Sequence, residues 1–158
     1  MKTLVIIPSR MSATRLPGKP LLKINGLSII SHVSKKAGEA NIGDVIVATE
    51  DQEIIDDVKS NGFNAILTSN KHKTGTDRIY EALKKSNVRD VDFIMNLQGD
   101  EPAIDIDDIK SLNDKMLKNN SNLGTLAAKI KDNKNLKNEN IVKVITEDRL
   151  EGSHFPKA

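Results

Sequence analysis

Arg10, Arg15 and Lys19 stand five and four residues apart in the stretch Pro8-Ser9-Arg10-Met11-Ser12-Ala13-Thr14-Arg15-Leu16-Pro17-Gly18-Lys19-Pro20, which contains no carboxylate. Three uncompensated cations in one loop suit a ligand with several negative charges, and a triphosphate is the commonest small one. Taken alone, the same residues would also make an ordinary solvated basic loop. The stretch is not a Walker A loop, because Gly18-Lys19 runs into Pro20 and Ala13 stands where the first glycine belongs. Phosphate binding here must therefore rest on side-chain charge as well as backbone N–H groups. Gln98-Gly99-Asp100-Glu101-Pro102 is the second feature: a glycine before Asp100 lets the chain turn closely and aim a carboxylate, and a carboxylate beside phosphates is the usual anchor for Mg2+. Its plain alternative is a Gly/Pro turn. Thr74-Gly75-Thr76-Asp77-Arg78 is the third, with N–H groups at a helix start that suit a base or an anion, and with Thr76 as the expected N-cap. His72 reads as a loop residue, His32 and His154 as non-catalytic, and Tyr80 as packing.

These groups must be positioned by regular elements. Leu4-Val5-Ile6-Ile7 is a short apolar run closed by Pro8, so a buried strand over residues 3–7 should deliver the basic loop from its carboxyl end. The spacing of Ile29, Ile30, Val33, Ala37 and Ala40 predicts a helix over 28–40 with Ser28 as N-cap. A second strand is expected over 44–49. A helix carrying Ile54, Ile55 and Val58 should follow, capped by Asp51 and stopped by Gly62. A short strand over 65–68 precedes a helix carrying Ile79, Ala82 and Leu83 that ends near Asn87. A strand over 92–97 leads to a helix capped by Asp105, with Ile106, Ile109, Leu112 and Met116 inward. Two later strands are expected over 123–130 and 141–145, with a polar loop over 131–140 between them. Strands alternating with helices need crossovers, hence an α/β fold with a mainly parallel, doubly wound, Rossmann-like sheet. The loops richest in unusual polar residues then all leave the carboxyl ends of strands and converge on one edge.

Composition narrows the class. A chain of 158 residues with 29% charged and 37% hydrophobic residues is an ordinary globular protein, read here as one domain over 1–158. Cysteine is absent, which fits a reducing compartment, and no run nears the ~18 apolar residues of a membrane span, so a cytoplasmic protein without membrane contact is expected. Phe63, Tyr80, Phe93 and Phe155 are too few to stack bases, which argues against a nucleic-acid partner. The net charge of +2 is unevenly spread: residues 1–40 hold seven Lys/Arg against one Glu, whereas residues 41–108 hold seven against fifteen Asp/Glu. A cationic first loop beside an acidic middle suits a polyanion plus a metal better than a nucleic-acid stripe.

The ordered set Ile7-Pro8-Ser9-Arg10, Thr14-Arg15-Leu16-Pro17-Gly18-Lys19-Pro20-Leu21, Val47-Ala48-Thr49, Gly75-Thr76-Asp77-Arg78, Asn96-Leu97-Gln98-Gly99-Asp100-Glu101-Pro102 and Val142-Lys143-Val144 closely resembles the 3-deoxy-manno-octulosonate (KDO) cytidylyltransferases. The resemblance implies a nucleotidyltransferase-type sheet and the Mg2+-dependent transfer of CMP from CTP to KDO, with pyrophosphate released, for lipopolysaccharide synthesis. Carried over by position, it implies that Arg10, Arg15 and Lys19 contact the CTP phosphates and that Thr74, Gly75 and Arg78 lie by the cytosine and its neighbours. It further implies that Gln98 lies beside the sugar acid and that Asp100 ligates Mg2+, so that Arg10, Lys19 and Asp100 are the catalytic set. Family members continue past Val142-Lys143-Val144 into a segment that supplies most of the sugar-acid pocket, the homodimer contact and a second metal-binding aspartate, so the chain reads as the amino-terminal part. A CTP-binding module without efficient turnover and a cytidylyltransferase for another sugar acid stand as the alternatives.

Overall fold

A computed structural model of the protein describes residues 1–12 and 16–146. Its centre is strand β1 (Thr3–Ser9), in which Leu4, Val5, Ile6 and Ile7 are each fully buried. Burial on both faces is why this strand reads as a continuous apolar run rather than an alternating one. Between β1 and the first long helix lie a 3-10 turn (Lys19–Leu21) and a hairpin, β2 (Lys23–Ile24) and β3 (Leu27–Ser28). The chain continues through α1 (Ile29–Glu39), β4 (Gly43–Thr49), α2 (Gln52–Ser60), β5 (Ala65–Leu67), α3 (Gly75–Lys85), β6 (Phe93–Asn96) and α4 (Ile106–Asn119).

The four long-range strands form one parallel sheet in the order β5-β4-β1-β6, with Ile7 opposite Val47 and Ile6 opposite Asn96. Alternate residues of β1 serve two cores. Val5 and Ile7 pack with Val33, Ala37, Ile54, Val58 and Ile109, from α1, α2 and α4. Leu4 and Ile6 pack with Ile46, Ala48, Ile79 and Ala82, the last two from α3. The reason is topological: β1 to β4 to β5 proceeds in one direction, and the chain then returns across the sheet to β6 on the other side of β1. Crossovers of fixed hand place α3 on the face opposite α1 and α2. The expected doubly wound parallel sheet is thus present, and strand order reverses between β1 and β6, which opens a crevice beyond their carboxyl ends.

Local signals explain most boundaries. Ser28 caps α1 by accepting from Ser31 N at 3.2 Å, and Asp105 Oδ1 accepts from Asp107 N at 2.9 Å at the start of α4. Gly62 follows α2 with φ 83°, the left-handed conformation that suits a helix stop. Four expectations are corrected. The cap of α3 is Thr74, not Thr76: Thr74 Oγ1 accepts from Asp77 N at 3.1 Å and donates to Asp77 Oδ2 at 2.7 Å, a reciprocal pair that starts the helix two residues earlier. Asp51 occupies the N-cap position of α2 but makes no side-chain cap, because its carboxylate accepts from Met11 N at 2.7 Å instead. Tyr80 is not core packing; it is 58% exposed, with Lys84 Nζ 4.4 Å from its ring centroid. No strand forms over 123–130 or 141–145 among the described residues, where Leu123, Val142 and Ile145 are exposed and no neighbouring backbone completes a ladder.

The chain groups into two compact units, the first covering Met1–Asn113 and the second beginning at Asp114. The sheet lies in the first. In the second, the stretch read as a polar loop includes a short helix, α5 (Asn133–Leu136), whose cap Asp132 accepts from Lys134 N at 2.9 Å. No helix among the described residues is long and apolar enough to cross a membrane.

Candidate functional site

A cleft of about 350 Å³ opens at the carboxyl edge of the sheet, within the first unit. Three walls meet in it: Pro8, Ser9 and Arg10 from the end of β1, His72 to Gly75 with Arg78 from the entry to α3, and Gln98, Gly99 and Asp100 after β6. Lys19 and Pro20 reach it from the 3-10 turn. Seven of the eight expected site residues therefore line one cleft; Arg15, in the 13–15 stretch, lies outside the described residues.

The basic loop is held by its own backbone. Gly18, at φ 73°, takes a left-handed conformation that non-glycine side chains rarely adopt. Gly18 N donates to Met11 O at 3.1 Å, and Met11 N is in turn fixed by Asp51. This closes the loop so that Lys19 Nζ lies 2.8 Å from Asp100 Oδ2. Both partners are substantially solvated, so the pair adds at most about 1 kcal/mol of stability. Its importance is positional: it brings the cation of the first loop and the carboxylate after β6 to one point. Arg10 is exposed at the cleft mouth.

The Gln98-to-Asp100 turn leaves little room for a side chain at its middle position. A Cβ on Gly99 would lie 3.0 Å from Pro8 O, 3.1 Å from Ile30 Cδ1 and 3.4 Å from Ile7 Cγ2. Close approach to β1, rather than a positive φ, explains this residue. Gln98 is exposed, its Nε2 donating to Asn96 Oδ1 at 3.4 Å.

The third wall begins with Thr74, whose hydroxyl is committed to capping α3, so what it offers a ligand is its backbone and that of Gly75. Gly75 packs on Pro8: a Cβ there would lie 3.6 Å from Pro8 Cγ. Arg78 is almost wholly buried, with 3% of its surface exposed. Its guanidinium pairs with Glu50 at the end of β4 and donates to Thr68 Oγ1 at 2.6 Å just after β5. It thereby joins α3 to two strand ends beneath the cleft, a role sequence reasoning had not separated from ligand contact. Sequence reasoning also missed a cluster on α3. Glu81 accepts from Ser69 N at 2.9 Å, contacts His72 Nε2, and pairs with Lys85 Nζ at 2.6 Å. Lys85 first, then the Ser69 N–H and His72, hold the Glu81 carboxyl down at about 2, well below its usual 4.5. The signal available was the i,i+4 spacing of Glu81 and Lys85.

The electrostatics of the cleft are mixed in a definite way. Arg10 and Lys73 supply cations without an ion-pair partner among the described residues, Lys19 is paired with Asp100, and Arg78 is neutralised by Glu50. No group of three or more His, Asp or Glu side chains that could cage a metal occurs among the described residues. A hard cation held by one carboxylate and by the oxygens of a polyphosphate is compatible with this donor set; an all-protein cage is not.

The family model described as cytidylyltransferase matches residues 4–156. A 3-deoxy-manno-octulosonate cytidylyltransferase of Rhodopseudomonas palustris is 44% identical over 162 aligned residues, covering 99% of this chain and 66% of the relative. The Haemophilus ducreyi enzyme of the same name is 39% identical over 158 residues, covering all of this chain and 62% of its own length. The chain thus spans a little under two thirds of the curated relatives it matches. Among solved structures, CMP:2-keto-3-deoxy-manno-octonic acid synthetase complexed with CTP superposes with a TM-score of 0.71 at 40% identity, over 77% of this chain and 49% of that one. A cytidylyltransferase from Leptospira borgpetersenii gives 0.64 at 30% identity, over 75% and 50%. A nucleotidyl transferase from Methanothermobacter, 16% identical with a TM-score of 0.58, shares the fold.

Proposed function

From the premise that the chain belongs to the cytidylyltransferase family, we propose that it carries the nucleotide end of an enzyme that transfers CMP from CTP to the sugar acid KDO, supplying lipopolysaccharide synthesis in the cytoplasm. The observation that carries this reading is the convergence of Arg10, Lys19 and Asp100 on one cleft at the reversal point of a parallel sheet. The relatives' names supply the substrates: they are KDO cytidylyltransferases, and one neighbour was solved with CTP.

In this reading the triphosphate lies between the basic loop and the turn after β6. Arg10 and Lys19 donate charge-assisted hydrogen bonds to phosphate oxygens, and Arg15, on the same loop, adds a third cation. Thr74 and Gly75 bring backbone groups to the nucleoside end, with Arg78 bracing that wall through Glu50 and Thr68. Gln98 faces the acceptor. The anomeric hydroxyl of KDO attacks the α-phosphorus in line and loses its proton to solvent; the new bond joins the sugar oxygen to phosphorus, the bond to the bridging oxygen breaks, and pyrophosphate leaves. Negative charge builds on that bridging oxygen, where the loop cations stabilise it.

Asp100 is the residue that would hold Mg2+, since its exposed carboxylate is an oxygen donor next to the expected phosphates. When bound, the ion neutralises phosphate charge as a Lewis acid. Lys19, 2.8 Å from Asp100, would donate to the phosphates beside it. A homodimer and a further sugar-acid wall belong to the same proposal, as does a CTP-binding module without efficient turnover as its second form. Steady-state pyrophosphate release with CTP, KDO and Mg2+ tests the enzyme. Saturable CTP binding without release selects the module, and no CTP binding at all refutes both.

A further inference from the structure

His72 enters the cleft wall through a contact that the reaction scheme does not use. Its Nε2 is engaged by Glu81 Oε2, and the same carboxylate accepts from Ser69 N at 2.9 Å and pairs with Lys85 Nζ at 2.6 Å. Glu81, six residues into α3, therefore holds both the start and the end of the 69–72 loop, immediately before Lys73 and Thr74 in the cleft wall. Both His72 and Glu81 side chains are only about a fifth exposed, 22% and 21%, so the contact is partly shielded from water.

The chemistry of that contact fixes the ring. An ionised carboxylate only accepts, and Lys85 together with the Ser69 N–H keeps Glu81 ionised; Nε2 must then be the donor. In the neutral imidazole the other nitrogen, Nδ1, is consequently an acceptor with a free lone pair, and no partner for it occurs among the described residues. A free side-chain acceptor is unusual at this wall of the cleft. Every other side chain near the α3 entry is a donor or is already satisfied: Lys73 is a cation, the Thr74 hydroxyl is spent on Asp77, and Arg78 is spent on Glu50 and Thr68. Phosphate oxygens are acceptors and cannot use Nδ1. With the phosphates drawn to Arg10 and Lys19, the part of a nucleotide left for this wall is the nucleoside, whose donor groups are an amino group on the base and the ribose hydroxyls.

We propose that His72 is a specificity-determining residue: its Nδ1, the acceptor of the neutral ring whose Nε2–H is given to Glu81, takes a hydrogen bond from the exocyclic amino group of a pyrimidine and so discriminates an amino base from an oxo base. Glu81 is the positioning residue that sets the tautomer. Uracil presents a carbonyl oxygen where cytosine presents the amino group, and two facing acceptors repel. The inference rests on the CTP reading given above.

The test is binding rather than turnover. Dissociation constants for CTP and UTP are measured by calorimetry on the full chain, for the wild type and for His72→Ala, His72→Asn and Glu81→Gln, with 15N spectra of the ring nitrogens reporting the His72 tautomer. His72→Ala is expected to weaken CTP by about tenfold, the scale of one lost neutral hydrogen bond, while leaving UTP little changed, so that the CTP/UTP preference collapses. His72→Asn, whose amide oxygen can reach the Nδ1 position, should restore part of the preference. Glu81→Gln should lower the preference and mix the tautomers, although it touches no nucleotide. Equal weakening of CTP and UTP in His72→Ala, or a wild-type Nδ1 that carries the proton, overturns the inference while leaving CTP recognition intact. Failure of the wild type to bind either nucleotide removes the CTP reading itself, and the inference with it.

Discussion

Replacing Gly99 by alanine is expected to damage the protein out of proportion to one methyl group. The added Cβ would lie 3.0 Å from Pro8 O and 3.1 Å from Ile30 Cδ1, both closer than ordinary carbon contact, and 3.4 Å from Ile7 Cγ2. Ile30 can rotate away, but Pro8 O belongs to the central strand, and Ile7 beside it is fully buried, so the turn itself must lift. Overpacking of this kind costs about 1–3 kcal/mol, which for a domain of this size lowers Tm by about 2–4 °C per kcal/mol. Gly38, in the exposed run of α1, is the matched control. A Cβ there meets nothing within 4 Å, and the same substitution should stabilise the helix by about 0.5–1 kcal/mol. Urea denaturation of both variants measures the pair, and CTP calorimetry on Gly99→Ala reads the accompanying displacement of Asp100 from Lys19. A Gly99→Ala protein as stable as the wild type, with unchanged CTP affinity, would refute the argument that the turn is pinned by its approach to β1.

Arg10→Ala and Lys19→Ala should each weaken CTP binding by about 1.5–3 kcal/mol, the range for hydrogen bonds to charged groups, with little change in unfolding; calorimetry and urea titration check the two halves of that statement. Asp100→Asn should remove the Mg2+ dependence of CTP binding, because an amide is a poorer ligand for a hard cation; a Mg2+ titration identical to wild type would return Asp100 to an ordinary turn. Arg78→Ala should destabilise the fold by about 3–5 kcal/mol, since it strands Glu50 without its partner, and a variant that loses CTP affinity at full stability would instead make Arg78 a direct ligand. Glu81, lowered from 4.5 to about 2 in the folded chain, contributes stability that is complete above pH 4.5 and lost as pH falls toward 2. Glu81→Gln should flatten the acid limb of the stability profile in that window, as followed by circular dichroism.

What the sequence revealed and what it hid follow from the range of the forces involved. Leu4 to Ile7, the α1 stripe of Ile30, Val33 and Ala37, and the caps Ser28 and Asp105 were legible because periodicity and capping are local. The cleft was legible as well, since carboxyl ends of parallel strands share an edge whatever the details. The hairpin between β2 and β3 went unread although Asn25-Gly26, both with positive φ, spells a tight turn; its strands are two residues each and carry no periodicity. Thr74 as the cap of α3 could have been found from the Thr74/Asp77 spacing. By contrast, the Glu81–His72 contact and the bracing of Arg78 by Glu50 and Thr68 depend on where loops meet in space. The stretches 123–130 and 141–145 fail for the complementary reason: an apolar run, even the β-branched one of 141–145, makes a strand only when another backbone supplies the other half of the ladder.

The position of β1 has a consequence for how the chain is made. Of the four strands of this sheet, the first to leave the ribosome is the one that ends in its middle, flanked by β4 on one side and β6 on the other. One flank can close once residue 49 has emerged, and the β5 edge by residue 67, but the partner of Ile6 on the other flank is Asn96. Until then β1 presents an unpaired backbone edge, and Leu4, Ile6, Ile46 and Ala48 wait for Ile79 and Ala82 to cover them. A nascent chain of this protein therefore carries an open edge and a bare apolar face together through the synthesis of about thirty residues, the combination that most invites association with other chains.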